Sequence, residues 1–442
     1  MSGTMIGLIG FGCLLGMLAL RVHIAVAMFI TGSGVYIVMN QGDFNTLFYT
    51  LNNLVYARVS NYDLAVIPLF ILMGQFATHG GLSKSLFRAA GTLIGHWRGG
   101  LAMAATAACA AFGAICGSSL ATAATMGQVA LPELRSHGYS GKLATATLAA
   151  SGTLGIMIPP SVPLVIYAVL TQESIGKLFV AAVIPGIIAA LGYLLVIAIV
   201  VRRDPTAGPA GVKAPFADMI KAQAGIIPVL LVFLVVIVGI YGGWTNPTEA
   251  ASIGAAACGI IAVVSGGMRL DAFLKSIYGT AHSCGMIFMV LICADLLNSA
   301  LALSQMPTEL ATWVQTSGLP PLIVLFSILI IYILLGCVMD SLAMILLTIP
   351  IFYPVVMGLE YFGLSVDEKS IWFGILALMV VEIGLVHPPV GMNLYVINKL
   401  AKDVSMKDTA LGVMPFLVSD FSRIVLLVFF PFFSLALVRY FG

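Results

Sequence analysis

Two stretches of this chain cannot be continuous membrane helices, and they sit at matching places in its two halves. The first runs Gly152-Thr153-Leu154-Gly155-Ile156-Met157-Ile158-Pro159-Pro160-Ser161. The second runs Glu382-Ile383-Gly384-Leu385-Val386-His387-Pro388-Pro389-Val390-Gly391. Apolar sequence flanks both. Proline has no N–H to donate and its ring clashes with the preceding turn; the residue before it is pushed out of helical geometry. A Pro-Pro pair therefore ends a helix and frees several carbonyls. Hydrocarbon tolerates such backbone only where it lines a cavity or is buried in protein. Interrupted helices in corresponding halves are the sequence pointer to a transporter's binding site.

The match extends beyond the breaks. Gly155, Pro159 and Pro160 map onto Gly384, Pro388 and Pro389 at one offset, 229 (384 − 155), and Pro185 maps onto Pro415 at 230. Ser119-Leu120-Ala121 maps onto Ser341-Leu342-Ala343, and Pro132 onto Pro354, both at 222. The same punctuation in the same order reads as an internal repeat.

Composition sets the solvent. The 442 residues are 60% hydrophobic and 9% charged, which is too apolar for a water-soluble fold and marks a polytopic membrane protein in a lipid bilayer. A net charge of +2 leaves no nucleic-acid footprint. The seven cysteines lie in apolar stretches without a C-x-x-C, so they read as small buried hydrophobes. No basic residue precedes Arg21. Segment 3–20 is thus expected to be the first membrane helix and not a cleavable signal peptide.

Apolar runs of spanning length fall near 3–20, 24–40, 62–78, 178–201, 226–241, 249–266, 278–304 and 409–438. Two interrupted helices, 143–172 and 371–398, add to these. Segments 100–131 and 321–354 are apolar but carry small or polar centres, Gly113 and Gly117-Ser118-Ser119 in one, Gly336 and Asp340-Ser341 in the other, and each ends at a proline. They are expected to be re-entrant helical hairpins. Counting crossings on that basis puts fifteen of the 20 Lys and Arg residues on one side, and basic residues mark the cytoplasmic side. Both termini then lie outside. The expected fold is all-α, an inverted repeat whose halves each hold five spanning helices, one of them broken, and one hairpin. The first repeat covers 1–201, with scaffold 1–99, hairpin 100–131, broken helix 143–172 and helix 178–201. A cytoplasmic linker covers 202–225. The second repeat covers 226–442, with scaffold 226–304, hairpin 321–354, broken helix 371–398 and last helix 409–438. Segment 44–58 has the apolar spacing of a helix lying along the outer interface or beside the bundle.

A broken-helix site offers freed carbonyls and hydroxyls to a cation and helix N-termini to an anion. The candidate sodium ligands are Gly117, Ser118, Ser119, Gly152, Thr153 and Gly155 around the first break, and Gly336, Asp340, Ser341, Glu382 and Gly384 around the second. The candidate substrate-binding residues are Ser118, Pro159, Pro160, Ser161, Pro388, Pro389 and Asn393. The same glycines and serines would also let helices pack closely. Carboxylates inside a membrane need a partner or water. Asp340, at a hairpin tip, reads as a cation ligand or helix cap. Asp295, near Asn298, reads as packed inside the bundle with a hydrogen-bond partner. Asp420 lies three residues before Arg423, close enough to pair. His387 stands where the first half has Ile158 and reads as a buried histidine or a proton-linked group. Rival classes have less support. Tyr62-Asp63 lacks the Gly-x-Gly-Asp partner of a membrane aspartyl protease, no H-E-x-x-H is present, and a channel does not need two inverted breaks.

The run from Phe112 to Ser119, then Ala123 to Gly127, Leu131-Pro132-Glu133-Leu134, Gly138-Tyr139, Gly152 to Ser161 and Ile184-Pro185-Gly186, resembles the large membrane subunit of TRAP (tripartite ATP-independent periplasmic) transporters. Pro350 to Pro354 and Gly384 to Leu394 match as well, so the resemblance covers nearly the whole chain. It implies a non-enzymatic, sodium-driven importer of an organic acid in the bacterial inner membrane, working by an elevator movement. No cofactor is implied apart from sodium as coupling ion. The implied partners are a small four-helix membrane subunit and a periplasmic substrate-binding protein. The alternatives are a stand-alone sodium/dicarboxylate symporter and a proton-coupled carrier. One position departs from the family pattern: His387 stands where such proteins often carry threonine, so no side-chain cation ligand carries over there.

Overall fold

Both helices break at the proline pairs. In the computed structural model, which describes residues 2–337 and 339–441, Gly141–Met157 ends at the first pair and Val162–Thr171 departs at 40°. Val366–Val386 ends at the second pair, and Met392–Leu400 follows. The Pro159-Pro160 and Pro388-Pro389 bonds are both cis. Positions 1, 338 and 442, which belong to the outer ends of the repeats and to hairpin 321–354 as drawn from the sequence, lie outside the described residues. Among the described residues the chain is helical, with no strand.

The two hairpins form as helix pairs. Gly100–Cys116 turns into Ser119–Ser136, and Pro321–Gly336 into Ser341–Met357. The first turn needs a glycine: Gly117 has φ +63°, which a side chain would strain. Ser118 then caps the returning arm by accepting from the Ala121 N–H at 3.4 Å. In the second turn Asp340 caps the arm, accepting from the Leu342 and Ala343 N–H groups at 3.2 and 3.4 Å. Neither returning arm stops at the proline expected to end it. The helices run on past Pro132 to Ser136 and past Pro354 to Met357, because one missing backbone donor is outweighed by the buried face on either side.

Glycine pairs seat each hairpin on its own broken helix. A Cβ at Gly384 would stand 2.5 Å from the Gly336 Cα, and a Cβ at Gly113 would stand 2.9 Å from the Gly155 nitrogen. Backbones can approach this closely only where both residues lack side chains.

Helix 366–386 is the centre of the molecule, buried at every position from Lys369 to Val386. By contrast Leu230, Leu231, Leu234 and Val235 of Ile227–Tyr241 are exposed, an apolar face of the kind that lipid covers. Among the described residues five helices are individually long and apolar enough to cross a membrane, and up to eight if each bent pair counts as one; the chain is a multi-pass membrane protein. Several expected elements differ in detail. The 178–201 span is Ile175–Arg203, and the 278–304 span is Leu270–Leu303. The last span is not continuous: Met406–Phe429 stops before Pro431, and Phe432–Phe441 follows. Segment 44–58 is the helix Phe44–Val59, bent by 58° from the helical segment Tyr62–His79. The linker is tied down: the Gly99 N–H donates to the Gly208 carbonyl at 2.9 Å, and the Gly211 N–H donates to the Gly95 carbonyl at 3.1 Å.

Helices 175–203 and 406–429 hydrogen-bond to the broken helices: Tyr193 Oη and Thr153 Oγ1 lie 3.3 Å apart. Trp372 Nε1 donates to the Leu427 carbonyl at 2.8 Å, Thr409 Oγ1 to Thr145 Oγ1 at 3.1 Å, and Asn398 Nδ2 to Thr409 Oγ1 at 3.2 Å. Sequence spacing could not reveal this, because both helices are apolar and uninterrupted at the points of contact.

Candidate binding site

The hairpin tips come together at one cavity of about 360 Å³. Gly117 and Ser118 line it from the first tip, Asp340 and Ser341 from the second, and Gln75 and Ser283 from the facing helices Val66–His79 and Leu270–Leu303. Gln75 and Ser283 had no sequence signal beyond being polar residues in apolar runs. Both returning arms start at this cavity, so two helix N-termini, capped by Ser118 and Asp340 and carrying positive partial charge, meet there. Among the described residues its lining holds no Arg or Lys. A carboxylate in this cavity would meet helix N-termini, amide and hydroxyl groups and the capping Asp340, not a cationic clamp.

Other candidates lie just behind the cavity wall. Asn393 of the second broken helix reaches into the first half, where its Nδ2 donates to Ser119 Oγ at 2.8 Å and to the Ala149 carbonyl at 3.2 Å. Its Oδ1 is buried with no hydrogen-bond partner among the described residues, as are Ser161 Oγ and Thr122 Oγ1. Gly155 packs against Thr122 and the Ser118 carbonyl, and Gly152 against Ala123. Gly117 sits against the first break, 3.2 Å separating the position of an added Cβ from the Pro160 carbonyl. Thus Gly117, Ser118, Ser119, Asn393 and the first break form one neighbourhood. Pro159, Pro160 and Ser161 are buried, whereas His387 and Pro388 are half-buried and Pro389 is exposed. His387 Nδ1 lies 3.7 Å from Cys337 Sγ at the second tip, and its ring packs edge-on to Phe421.

Thr153 and Glu382 belong to a different group. Arg423 Nη2 donates to Glu382 Oε2 and to Asp420 Oδ1, both at 3.0 Å. Thr153 Oγ1 lies 2.6 Å from Glu382 Oε1, and Tyr193 donates to Asp420 Oδ2 at 3.0 Å. The sequence pairs Asp420 with Arg423; the structure adds Glu382, Thr153 and Tyr193 to that pair. Gly336 and Gly384 serve the hairpin contact described above. Asp295 pairs with Arg58, which contributes two guanidinium nitrogens to its carboxylate, and not with Asn298. The pair ties Phe44–Val59 to Leu270–Leu303.

Comparison with known proteins agrees with this architecture. The profile of the family described as "Tripartite ATP-independent periplasmic transporter, DctM component" matches residues 11–433. The C4-dicarboxylate TRAP transporter large permease protein DctM of Pseudomonas aeruginosa is 35% identical over 385 residues, covering 86% of this chain and 87% of that protein. The sialic acid TRAP transporter large permease protein SiaM of Vibrio cholerae is 31% identical over 385 residues, covering 87% and 88%. Among solved structures, that of the Alcanivorax borkumensis YdaH transporter superposes with a TM-score of 0.63 at 17% identity, covering 89% of this chain and 90% of that one. That likeness bears on the fold alone.

Proposed function

The chain belongs to the DctM-component family of tripartite ATP-independent periplasmic (TRAP) transporters, and from that premise we propose that it imports an organic acid by sodium symport through the cavity between its two hairpin tips. The observation that carries this reading is the convergence of two capped helix N-termini on one cavity whose lining, besides the capping Asp340 carboxylate, offers amide and hydroxyl groups and, among the described residues, no Arg or Lys. Opposed helix N-termini stabilise an anionic substrate, while freed carbonyls and hydroxyls beside a break suit a small cation. The buried acceptors Asn393 Oδ1, Ser161 Oγ and Thr122 Oγ1, left without partners, fit such an ion. With Ser119 they are the residues that would hold sodium behind the first tip. Relatives named for C4-dicarboxylates and for sialic acid support a carboxylate substrate.

The remaining assignments follow the same premise. A tripartite transporter has two further components, which we assign as a small four-helix membrane subunit and a periplasmic binding protein that delivers the substrate. The basic-residue distribution supports an inner-membrane protein with both termini in the periplasm. The two halves are inverted repeats, and transport is an elevator movement. The moving block holds the hairpins, the broken helices and helices 175–203 and 406–429, joined by hydrogen bonds through Ser119, Tyr353, Tyr193, Thr409 and Trp372. Sliding them as a unit keeps their polar backbone groups satisfied; separating them in lipid would expose those groups at several kcal/mol each.

Uptake in proteoliposomes holding the chain and both partner components tests the reading. Accumulation of the acid should require an inward sodium gradient and stop when external sodium is replaced by potassium at fixed pH. Unchanged uptake without sodium would overturn sodium symport and favour proton coupling. Robust uptake without the binding protein would favour a stand-alone symporter.

A further inference from the structure

A second polar site lies apart from the cavity, at the join between the halves. Its members occupy repeat-related positions: Thr153 and Glu382 are 229 apart (382 − 153), and Tyr193 and Arg423 are 230 apart (423 − 193). These are the offsets that relate the two breaks and the prolines that follow them. Thr153 contacts Glu382 at 2.6 Å, and the Arg423 guanidinium stands 6.0 Å from the centre of the Tyr193 ring. Asp420 completes the group. Glu382, Asp420 and Arg423 are 0%, 1% and 4% exposed, so water does not compensate their charge.

Two carboxylates and one guanidinium leave one negative charge uncompensated. Arg423 does not make up the difference with extra hydrogen bonds. Its Nη2 alone serves both carboxylates, while Nε and Nη1 are buried without partners among the described residues. The hydroxyl count reaches the same conclusion by another route. Thr153 has one O–H, yet its Oγ1 lies 2.7 Å from the Ala150 carbonyl and 2.6 Å from Glu382 Oε1. A carbonyl can only accept. If the Thr153 proton goes to Ala150, the shorter contact needs a proton from Glu382. The Tyr193 proton is already directed at Asp420 Oδ2 at 3.0 Å.

We propose that this group is a proton-binding site that holds one proton on its carboxyl pair at neutral pH. The proton comes from water and adds to a carboxylate oxygen, giving a carboxylic acid; no other bond forms or breaks. On that count Glu382 Oε1 carries it and donates to Thr153 Oγ1, Thr153 donates to Ala150, and Asp420 is the carboxylate facing Arg423 and Tyr193. The buried charge is then zero, so the core of the molecule carries no charge of its own through the bilayer. The ionisable groups facing the site are these four side chains: Tyr193, Glu382, Asp420 and Arg423. The first broken helix brings only the Thr153 hydroxyl. Of the nearby cationic groups, Arg439 of the last helix pairs with Glu368, and His387 faces Cys337 and Phe421.

Infrared spectroscopy of the purified chain in lipid tests this without any transport assay, so its outcome is separate from that of the transport reading. At pH 7 the difference spectra of the wild type against Glu382→Gln and against Asp420→Asn should each show loss of one neutral-acid carbonyl stretch, because either amide leaves a single carboxylate opposite Arg423. The amide I band of the same spectra reports whether each variant keeps its helices. Thr153→Val, which changes no charge, covers the case of a carboxyl variant that does not fold: it should keep the acid band and shift it, as the hydrogen bond to Thr153 is lost. No acid band lost in either carboxyl variant, or an acid band unmoved in Thr153→Val, would overturn the proposal.

Discussion

The two breaks share a sequence pattern but not an environment. At the first, Pro159, Pro160 and Ser161 are buried and the first hairpin tip lies against the Pro160 carbonyl. At the second, His387 and Pro388 are half-buried and Pro389 is exposed. The same asymmetry runs one turn back along each helix: the first half has neutral Thr153 and Tyr193 where the second has Glu382 and Arg423. A repeat fixes where helices stop, while neighbours decide what each stop can do. The first break is enclosed by protein; the second leaves Pro389 exposed.

The charged side of this comparison should be the most sensitive. Arg423→Met leaves Glu382 and Asp420 buried without a cation, and should cost about 3–5 kcal/mol, the range for removing one member of a buried pair. Tyr193→Phe, at the repeat-related position, removes one hydroxyl donor to a carboxylate and should cost about 1.5–3 kcal/mol. Thermal unfolding of both variants in the same lipid checks the order; equal losses would mean that the two halves are not energetically distinct here.

Packing at the breaks should matter next. Gly384→Ala would drive a methyl to 2.5 Å from the Gly336 Cα, and Gly155→Ala would drive one to 2.9 Å from the Ser118 carbonyl. Each should cost about 1–3 kcal/mol as overpacking. Gly12→Ala meets nothing within 4 Å and should stay within about 0.5 kcal/mol of wild type. A harmless Gly384→Ala would show that the second hairpin does not pack on its broken helix as described.

Exposure gives the smallest effect but the most direct contrast. With exposed Cys13 replaced, a cysteine at Val390 should react with a water-soluble thiol reagent, while one at buried Ser161 should resist it. Equal labelling would remove the distinction between open and closed breaks.

Much of this architecture was legible in the chain. Proline pairs and their spacing located both breaks, because a missing N–H acts locally and needs no neighbour to be felt. Gly117, Ser118, Asp340 and Ser341 were identifiable because glycine turns and N-caps are also local devices. What escaped was relational. Gln75 and Ser283 become cavity residues only through the way their helices face the tips. Arg423 lies far along the chain from Glu382, and nothing near either residue announces the contact. Helices 175–203 and 406–429 gave no sign of their bonds to the broken helices, because apolar sequence is the same whether lipid or protein covers it. Pro132 and Pro354 looked like ends because the burial that carries a helix through a proline is a property of the assembled fold.

The central claim is that the cavity between the tips is the transport site and that its two walls move past one another. Leu342 at the second tip and Met286 of helix 270–303 line it from opposite walls. With cysteines at both positions joined by a reducible bifunctional thiol reagent, sodium-driven uptake by the reconstituted complex should stop, and reduction should restore it, while each single cysteine treated alike should keep its activity. Full cross-linking with uptake unchanged would contradict the account.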